Sequence, residues 1–297
     1  MIDSNTLEYD GEDFTIKVGD YKLIGCQWKP HEPKYNLIFV HGLYFFVTYF
    51  KDVFADILQD GGMVFACDHI GHGRSPGPRC SNTIEELAEE ISQVVMHSYS
   101  VNPGMPTFIY GHSMGGMGAI YLAMKRKNSI CDMVDGIIAD APWISNCPQR
   151  QPSCCLLACV RALEYLLPTI HIDSGISHFS NEMDHDWVEK IHHSEYFTTK
   201  LTPRLFNSAL DARLWIRENI QEWPENMPML FLQGGKDNLV FADENVFWAK
   251  KVSESKENSK IVIKFYDEGS HMLTKMPNRN EVINEICTFI RSNSFQE

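Results

Sequence analysis

Leu37 to Val40, Met63 to Cys67, Thr107 to Tyr110, Gly136 to Ala139 and Met229 to Leu232 are apolar without interruption. A strand with one wet face alternates, so continuous short runs predict central strands of a parallel sheet covered on both faces. Between most of them the period changes to that of a helix. Phe50, Val53, Phe54, Ile57 and Leu58 recur at helical spacing and stop at Gly61-Gly62; Ile84, Leu87, Ile91, Val94 and Val95 do the same behind Thr83 and Glu86, a capping-box pair. Strands alternating with helices predict an α/β fold with a mostly parallel central sheet flanked by helices. Upstream, Asp13 to Trp28 alternates around Gly19-Asp20 as an antiparallel hairpin does.

From Ser145 to about Pro224 the alternation breaks down into a stretch that is helical in pattern and holds no convincing strand. This predicts a helical cap inserted after the sixth strand, with residues 1–144 as the first part of the core, 145–224 as the cap and 225–297 as the second part of the core. The first cap helix, Cys154 to Leu167, carries Leu156, Leu157, Val160, Leu163, Leu166 and Leu167 on one side and ends before Pro168. Such a stripe reads as core-facing, as the lining of an acyl pocket, or as both.

Gly111-His112-Ser113-Met114-Gly115 lies between one of the apolar runs and a long apolar-periodic stretch. This is the strand, sharp turn and helix context of a nucleophile elbow, in which the serine occupies a strained turn and side chains at 111 or 115 would collide with neighbouring backbone. A serine hydroxyl is a weak nucleophile at neutral pH and needs a base within hydrogen-bond reach, itself held by a third group. In this fold the acid follows the seventh strand and the histidine the eighth. Met229 to Leu232 leads into Gly234-Gly235-Lys236-Asp237, and Ile261 to Tyr266 leads into Gly269-Ser270-His271. Asp237 and His271 are therefore the expected partners of Ser113. Asp140, at a strand end where a variant triad places its acid, and Asp267, near His271 in sequence, compete for the acid role. Two amides must hold the developing oxyanion, and their expected sources are Met114 and Leu43, the latter presented by the His41-Gly42 turn. His41 itself reads as a structural hydrogen-bonder. Phe45, Phe46 and Tyr49, with Leu156 and Leu163 of the cap, are expected to line the substrate site.

The formal charge of −13 argues against a nucleic-acid partner, whose phosphates would be repelled. Nine cysteines, an odd number with Cys154 and Cys155 adjacent, read as reduced thiols, mostly buried filler. Neither the cluster Cys147, Cys154, Cys155 and Cys159 nor the seven-residue recurrence of His171, His178, His185 and His192 has metal-site spacing on an unbroken element, since Gly175 and the polar run Ser180 to Asp186 interrupt the latter. No metal site is expected, and those histidines read as solvated. The segment Asp68-His69-Ile70-Gly71-His72-Gly73-Arg74-Ser75 has glycines but no following Lys-Ser or Lys-Thr pair, so it reads as a turn bracing the site's floor rather than a phosphate loop. With no apolar run long enough to span a bilayer and no secretory pattern at Met1 to Asp10, a cytoplasmic location is expected.

Together, His41-Gly42, Asp68 to Ser75, Gly111 to Gly116, Gly234 to Asp237 and Gly269 to His271 resemble the monoacylglycerol lipase and lysophospholipase branch of the α/β-hydrolase superfamily. In the cap, Asp186-Trp187-Val188-Glu189-Lys190 and Leu201-Thr202-Pro203-Arg204 are similar to that branch as well. The resemblance implies the α/β-hydrolase fold and a serine hydrolase acting on a small acyl ester of a monoacyl lipid through an acyl-enzyme. It requires no cofactor, and it makes the cap the place for transient contact with a membrane surface. One departure bears on the substrate. Where that branch carries a Glu-His pair and then an Arg-Tyr pair, associated with the glycerol end of the substrate, this chain has Phe45, Phe46, Tyr49 and Phe50. A thioesterase, an acyltransferase or a proline-releasing aminopeptidase would use the same triad. A binding protein on the hydrolase scaffold is the rival from another class, opposed by the intact Ser113, Asp237 and His271.

Overall fold

In the computed structural model, which describes residues 2, 3, 6–126, 132–173, 191 and 193–294, the N-terminal alternation folds as a hairpin of β1 (Glu12–Val18) and β2 (Tyr21–Trp28), turning through Gly19 at φ 54°. The continuous apolar runs become β3 (Tyr35–Val40), β4 (Gly62–Cys67), β5 (Thr107–His112), β6 (Gly136–Asp140) and β7 (Met229–Gly234), in each of which every residue is buried. Together with β8 (Ile261–Tyr266) they form one sheet in the order β1-β2-β4-β3-β5-β6-β7-β8. The β1/β2 and β2/β4 pairs are antiparallel and all the others parallel.

Alternate residues of one strand feed two separate cores, which is why the runs lack alternation. Met63, Phe65 and Cys67 of β4 enter the core beneath α2 (Ile84–Val101) and α3 (Met114–Lys125). Val64 and Ala66 enter the other, beneath α1 (Lys51–Asp60) and the C-terminal helix Arg279–Asn293. The helix boundaries follow local chemistry. Gly61, left-handed at φ 100°, ends α1. At α2 the capping box closes reciprocally, with Glu86 N–H donating to Thr83 Oγ1 at 3.1 Å and Thr83 N–H to Glu86 Oε2 at 2.7 Å.

Between β6 and β7 the described residues form α4 (Cys154–Leu166) and α5 (Pro203–Glu218), followed after β7 by α6 (Ala242–Glu254) and after β8 by α7 (Arg279–Asn293). The segment is not free of strand, since Ile172–Asp173 and Lys200–Leu201 make a two-residue antiparallel ladder. α4 packs on α5 through Val160, the Arg161–Asp211 ion pair and an Asn207 Nδ2 donation of 2.7 Å to Glu164. Of the expected apolar stripe only Val160 is buried and Leu157 and Leu163 are half-buried, while Leu156, Leu166 and Leu167 are 51%, 69% and 52% exposed. The thiols divide accordingly: Cys26, Cys67, Cys80 and Cys287 are buried, whereas Cys154, Cys155 and Cys159 are exposed on α4, which corrects the reading of the cysteines as mostly filler. No disulfide and no group of ligands able to hold a metal occurs among the described residues. His171 is exposed, with Nε2 3.0 Å from the Arg79 carbonyl; His178, His185, His192 and the Asp186 to Lys190 segment lie outside the described residues.

The N-terminal segment is strapped across the loop after β3. Lys51, wholly buried on α1, donates to Thr6 Oγ1 at 3.2 Å, to the Glu8 carbonyl at 2.9 Å and to Asp10 Oδ2 at 2.7 Å. Thr48 Oγ1 donates to the Leu7 carbonyl at 2.8 Å, and the Tyr9 hydroxyl to Asp68 Oδ2 at 2.7 Å, with the Arg74 guanidinium 3.7 Å above the Tyr9 ring.

Candidate active site

Ser113 caps α3 at φ 54°, ψ −113°, a conformation that costs a non-glycine residue about 1–3 kcal/mol unless its surroundings impose it. They do. Its N–H donates to the Asp140 carbonyl at 2.8 Å, and its carbonyl accepts from Met117 and Trp143 N–H at 3.0 Å each. The flanking glycines are steric necessities: a Cβ at 111 would lie 2.4 Å from the Gly115 carbonyl oxygen, and one at 115 would lie 2.1 Å from that of Val40. Ser113 stays partly exposed between the buried His112 and Met114.

The parallel pair β7/β8 delivers the other two groups. Gly235 N–H donates to the Tyr266 carbonyl and Lys236 N–H to the Gly269 carbonyl, both at 2.8 Å, which lays the Asp237 loop against the His271 loop. His271 Nδ1 stands 2.7 Å from Asp237 Oδ2, the pair being 3% and 8% exposed. Asp237 Oδ1 accepts from Leu239 and Val240 N–H at 2.8 and 3.0 Å, and Gln233 Nε2 reaches Oδ2 at 3.3 Å. Burial pushes this carboxyl up, but the His271 charge and these hydrogen bonds outweigh it and hold it below the usual aspartate range. A group lowered in the fold stabilises fully above its unfolded value and loses that contribution as pH falls through the folded one.

Asp140 is engaged elsewhere. Its Oδ2 accepts from the Tyr110 hydroxyl at 3.0 Å and lies 3.1 Å from His112 Nδ1. Burial holds His112 below the ordinary histidine range, so its ring is neutral, and it stands 5.0 Å from the His271 ring. Asp267 follows β8 with its carbonyl facing Gly235, at 2.6 Å from where a Cβ there would sit.

The loop after β3 closes on the elbow. A Cβ on Gly42 would sit 3.2 Å from Ser113 Cβ, so Leu43, 7% exposed, lies beside the nucleophile. Met114, first residue of α3, has an N–H without an intrahelical acceptor. Beyond them Phe45 stacks on Tyr49 at 4.7 Å and comes within 6.5 Å of His112, while Phe46 meets Tyr196 edge-on at 5.5 Å. Phe45, Phe46, Tyr49 and Phe50 are all at most 2% exposed. Leu156 and Leu163 sit apart from this wall, exposed and half-buried on α4, and the structure does not bury them against it.

Sequence reasoning missed three residues of the surroundings. Asp68, buried by the strap, accepts from Val47 N–H at 2.9 Å and Arg74 N–H at 3.0 Å as well as from Tyr9. Glu90, 1% exposed, is not singled out by the sequence, although its spacing from Leu87 and Val94 places it on the apolar face of α2. Tyr9 carries no local signal.

The profile of the family described as serine aminopeptidase, S33 matches residues 31–278. The monoglyceride lipase of Rattus norvegicus is 27% identical over 282 residues, covering 91% of this chain and 88% of its own. Among solved structures, the monoacylglycerol lipase of Paleococcus ferrophilus superposes with a TM-score of 0.78 at 22% identity, over 92% of this chain and 99% of that one. A soluble variant of the Saccharomyces cerevisiae monoglyceride lipase, solved with a substrate analogue, gives a TM-score of 0.81 at 15% identity, over 97% and 98%. With a profile match spanning most of its length and a sheet of this order beneath it, the chain belongs to the serine aminopeptidase S33 family of α/β-hydrolases.

Proposed function

We propose that this protein is a serine esterase that cleaves carboxylic esters of monoacyl lipids, of the monoacylglycerol or lysophospholipid kind, through an acyl-enzyme. The observation that carries the reading is the 2.7 Å His271–Asp237 pair, with the His271 ring 5.0 Å from that of His112, the residue before a serine held at positive φ. Ser113 Oγ attacks the ester carbonyl while His271 takes its proton, and Asp237 keeps the ring in the tautomer that can accept it. The amides of Leu43 and Met114 hold the oxyanion of the tetrahedral adduct. Collapse breaks the ester C–O bond, the leaving alcohol takes the proton back from His271, and water repeats the sequence to release the acid. Every step uses protein groups alone, without a cofactor. Labelling by a fluorophosphonate probe at Ser113, with turnover of a medium-chain monoacyl ester, tests the reading; an unlabelled and inert protein overturns it in favour of a binder on the hydrolase scaffold.

In this reading residues 145–224 serve as the cap over a core built from 1–144 and 225–297. The cap's first helix supports contact with a lipid surface. Its outward face, Cys155, Ala158, Cys159, Ala162 and Leu166, is exposed and carries no charge, and Tyr165 and Leu167 flank it at 89% and 52% exposure. No helix among the described residues is long and apolar enough to cross a membrane.

The buried aromatic wall predicts the selectivity. Phe45, Phe46, Tyr49 and Phe50 supply none of the charged hydrogen bonds that a diol would use, so discrimination between a glycerol and a plain alcohol loses about 1 to 3 kcal/mol. Simple alkyl esters of a medium-chain acid are expected to be hydrolysed with kcat/KM within about tenfold of the matching monoacylglycerol, a decade being about 1.4 kcal/mol. A glycerol preference above about a hundredfold would place polar recognition in the cap.

A further inference from the structure

Beneath the loop after β3 lie titratable groups that the chemistry at Ser113 leaves unused. His41, His69 and Glu90 are 0%, 2% and 1% exposed. Glu90, from α2, accepts the Ile70 N–H on Oε1 at 3.0 Å and faces His69 Nδ1 with Oε2 at 2.8 Å. The other nitrogen of His69, Nε2, lies 3.0 Å from the His41 carbonyl oxygen. Glu90 and the His41 carbonyl thus hold the His69 ring from both sides where water is excluded.

His41 is the opposite case. Burial, then the neighbouring His69 and His72, hold it well below the ordinary histidine range, so it is neutral. Its Nε2 accepts the His69 backbone N–H at 3.3 Å, which leaves the proton on Nδ1, 2.8 Å from the Gly42 carbonyl oxygen. The rings of His41 and His69 lie face to face at 3.7 Å. The Gly42 carbonyl and the Leu43 N–H belong to one planar trans peptide and point in opposite directions. A bond that holds the carbonyl toward the histidines therefore turns the N–H away from them. Glycine at 42 offers little resistance to a peptide flip, and its carbonyl also accepts from Phe45 N–H at a longer 3.4 Å.

We infer that Glu90 and His69 are positioning residues of the oxyanion hole: Glu90 fixes His69, whose ring meets the His41 carbonyl and whose backbone N–H fixes the tautomer of His41, and His41 holds the Gly42–Leu43 peptide with its N–H turned toward Ser113. The inference rests on the esterase reading given above. It assigns to a helix on the far side of the loop a share in transition-state stabilisation, although Glu90 touches no reacting atom.

The test uses Glu90→Gln, which keeps the shape and removes the charge, and His41→Phe, which keeps a ring against His69 and removes the donor. Active sites are titrated with a fluorophosphonate, so that misfolded molecules drop out of the count. Per titrated site, kcat is expected to fall about tenfold in Glu90→Gln and about a hundredfold in His41→Phe, as for the loss of an oxyanion donor, with KM within threefold. The Kd of a medium-chain alkylboronic acid, whose adduct with Ser113 places an oxygen in the same hole, should rise by the same factors. A kcat per site within threefold of wild type in the folded variants overturns the inference, as does a loss confined to the number of titratable sites. Should His41→Phe not fold, Glu90→Gln decides alone. A wild-type protein that the probe does not label would instead overturn the esterase reading itself.

Discussion

Replacing Ser113 by alanine is expected to lower kcat by about 10⁶, leaving only what the oxyanion hole and substrate binding achieve without a nucleophile. The fold should be untouched, because alanine must adopt the same positive φ that the hydrogen bonds from Met117, Trp143 and to Asp140 impose. Ser113→Gly separates the two consequences of the elbow. It should be equally inactive but about 1 kcal/mol more stable in urea than Ser113→Ala, since glycine relieves the strain that alanine keeps. Turnover of Ser113→Ala within tenfold of wild type, or retained fluorophosphonate labelling, would move the nucleophile elsewhere.

The second large effect concerns the acid. Asp237→Asn should cost about 10⁴ in rate, because an amide at this position no longer enforces the tautomer in which His271 can accept the serine proton. Asp140→Asn should cost little per folded molecule, since that carboxylate is taken up by Tyr110 and His112 rather than by His271. The comparison is sharp because one aspartate ends a parallel strand, the other follows the next one in the sheet, and both are buried. Steady-state rates of the two variants, each normalised to titrated sites, give the ranking, and the reverse order would put the acid after β6.

What was legible in the sequence was whatever depends on a short window. The strands from β3 to β7 announce themselves because both faces of each are covered, and the elbow and the two glycine loops because close backbone approach leaves no alternative to small residues. The pairing of His271 with Asp237 followed from the order of strands. What was not legible depends on partners distant in sequence. Lys51 and Glu90 look like solvated charges in their helices, and Thr6, Glu8 and Asp10 in one case and His69 and the Ile70 N–H in the other make their burial tolerable. The cap stripe failed for the converse reason. Its leucines fit a helical period perfectly well, but period says which side they share and not whether anything covers that side.

The strap has a dynamic consequence. Among the described residues the acceptors of the Lys51 ammonium come from residues 6–10, so the segment cannot lift piecemeal. Releasing it would leave a charge in a dry pocket and would free Thr48 and Asp68, whose bonds to Leu7 and Tyr9 tie it to the aromatic loop and to the turn after β4. Such an opening costs several kcal/mol and takes both segments at once. Strap and aromatic loop thus form one cooperative unit, and their amides should exchange with solvent at a common opening free energy, distinct from that of the cap.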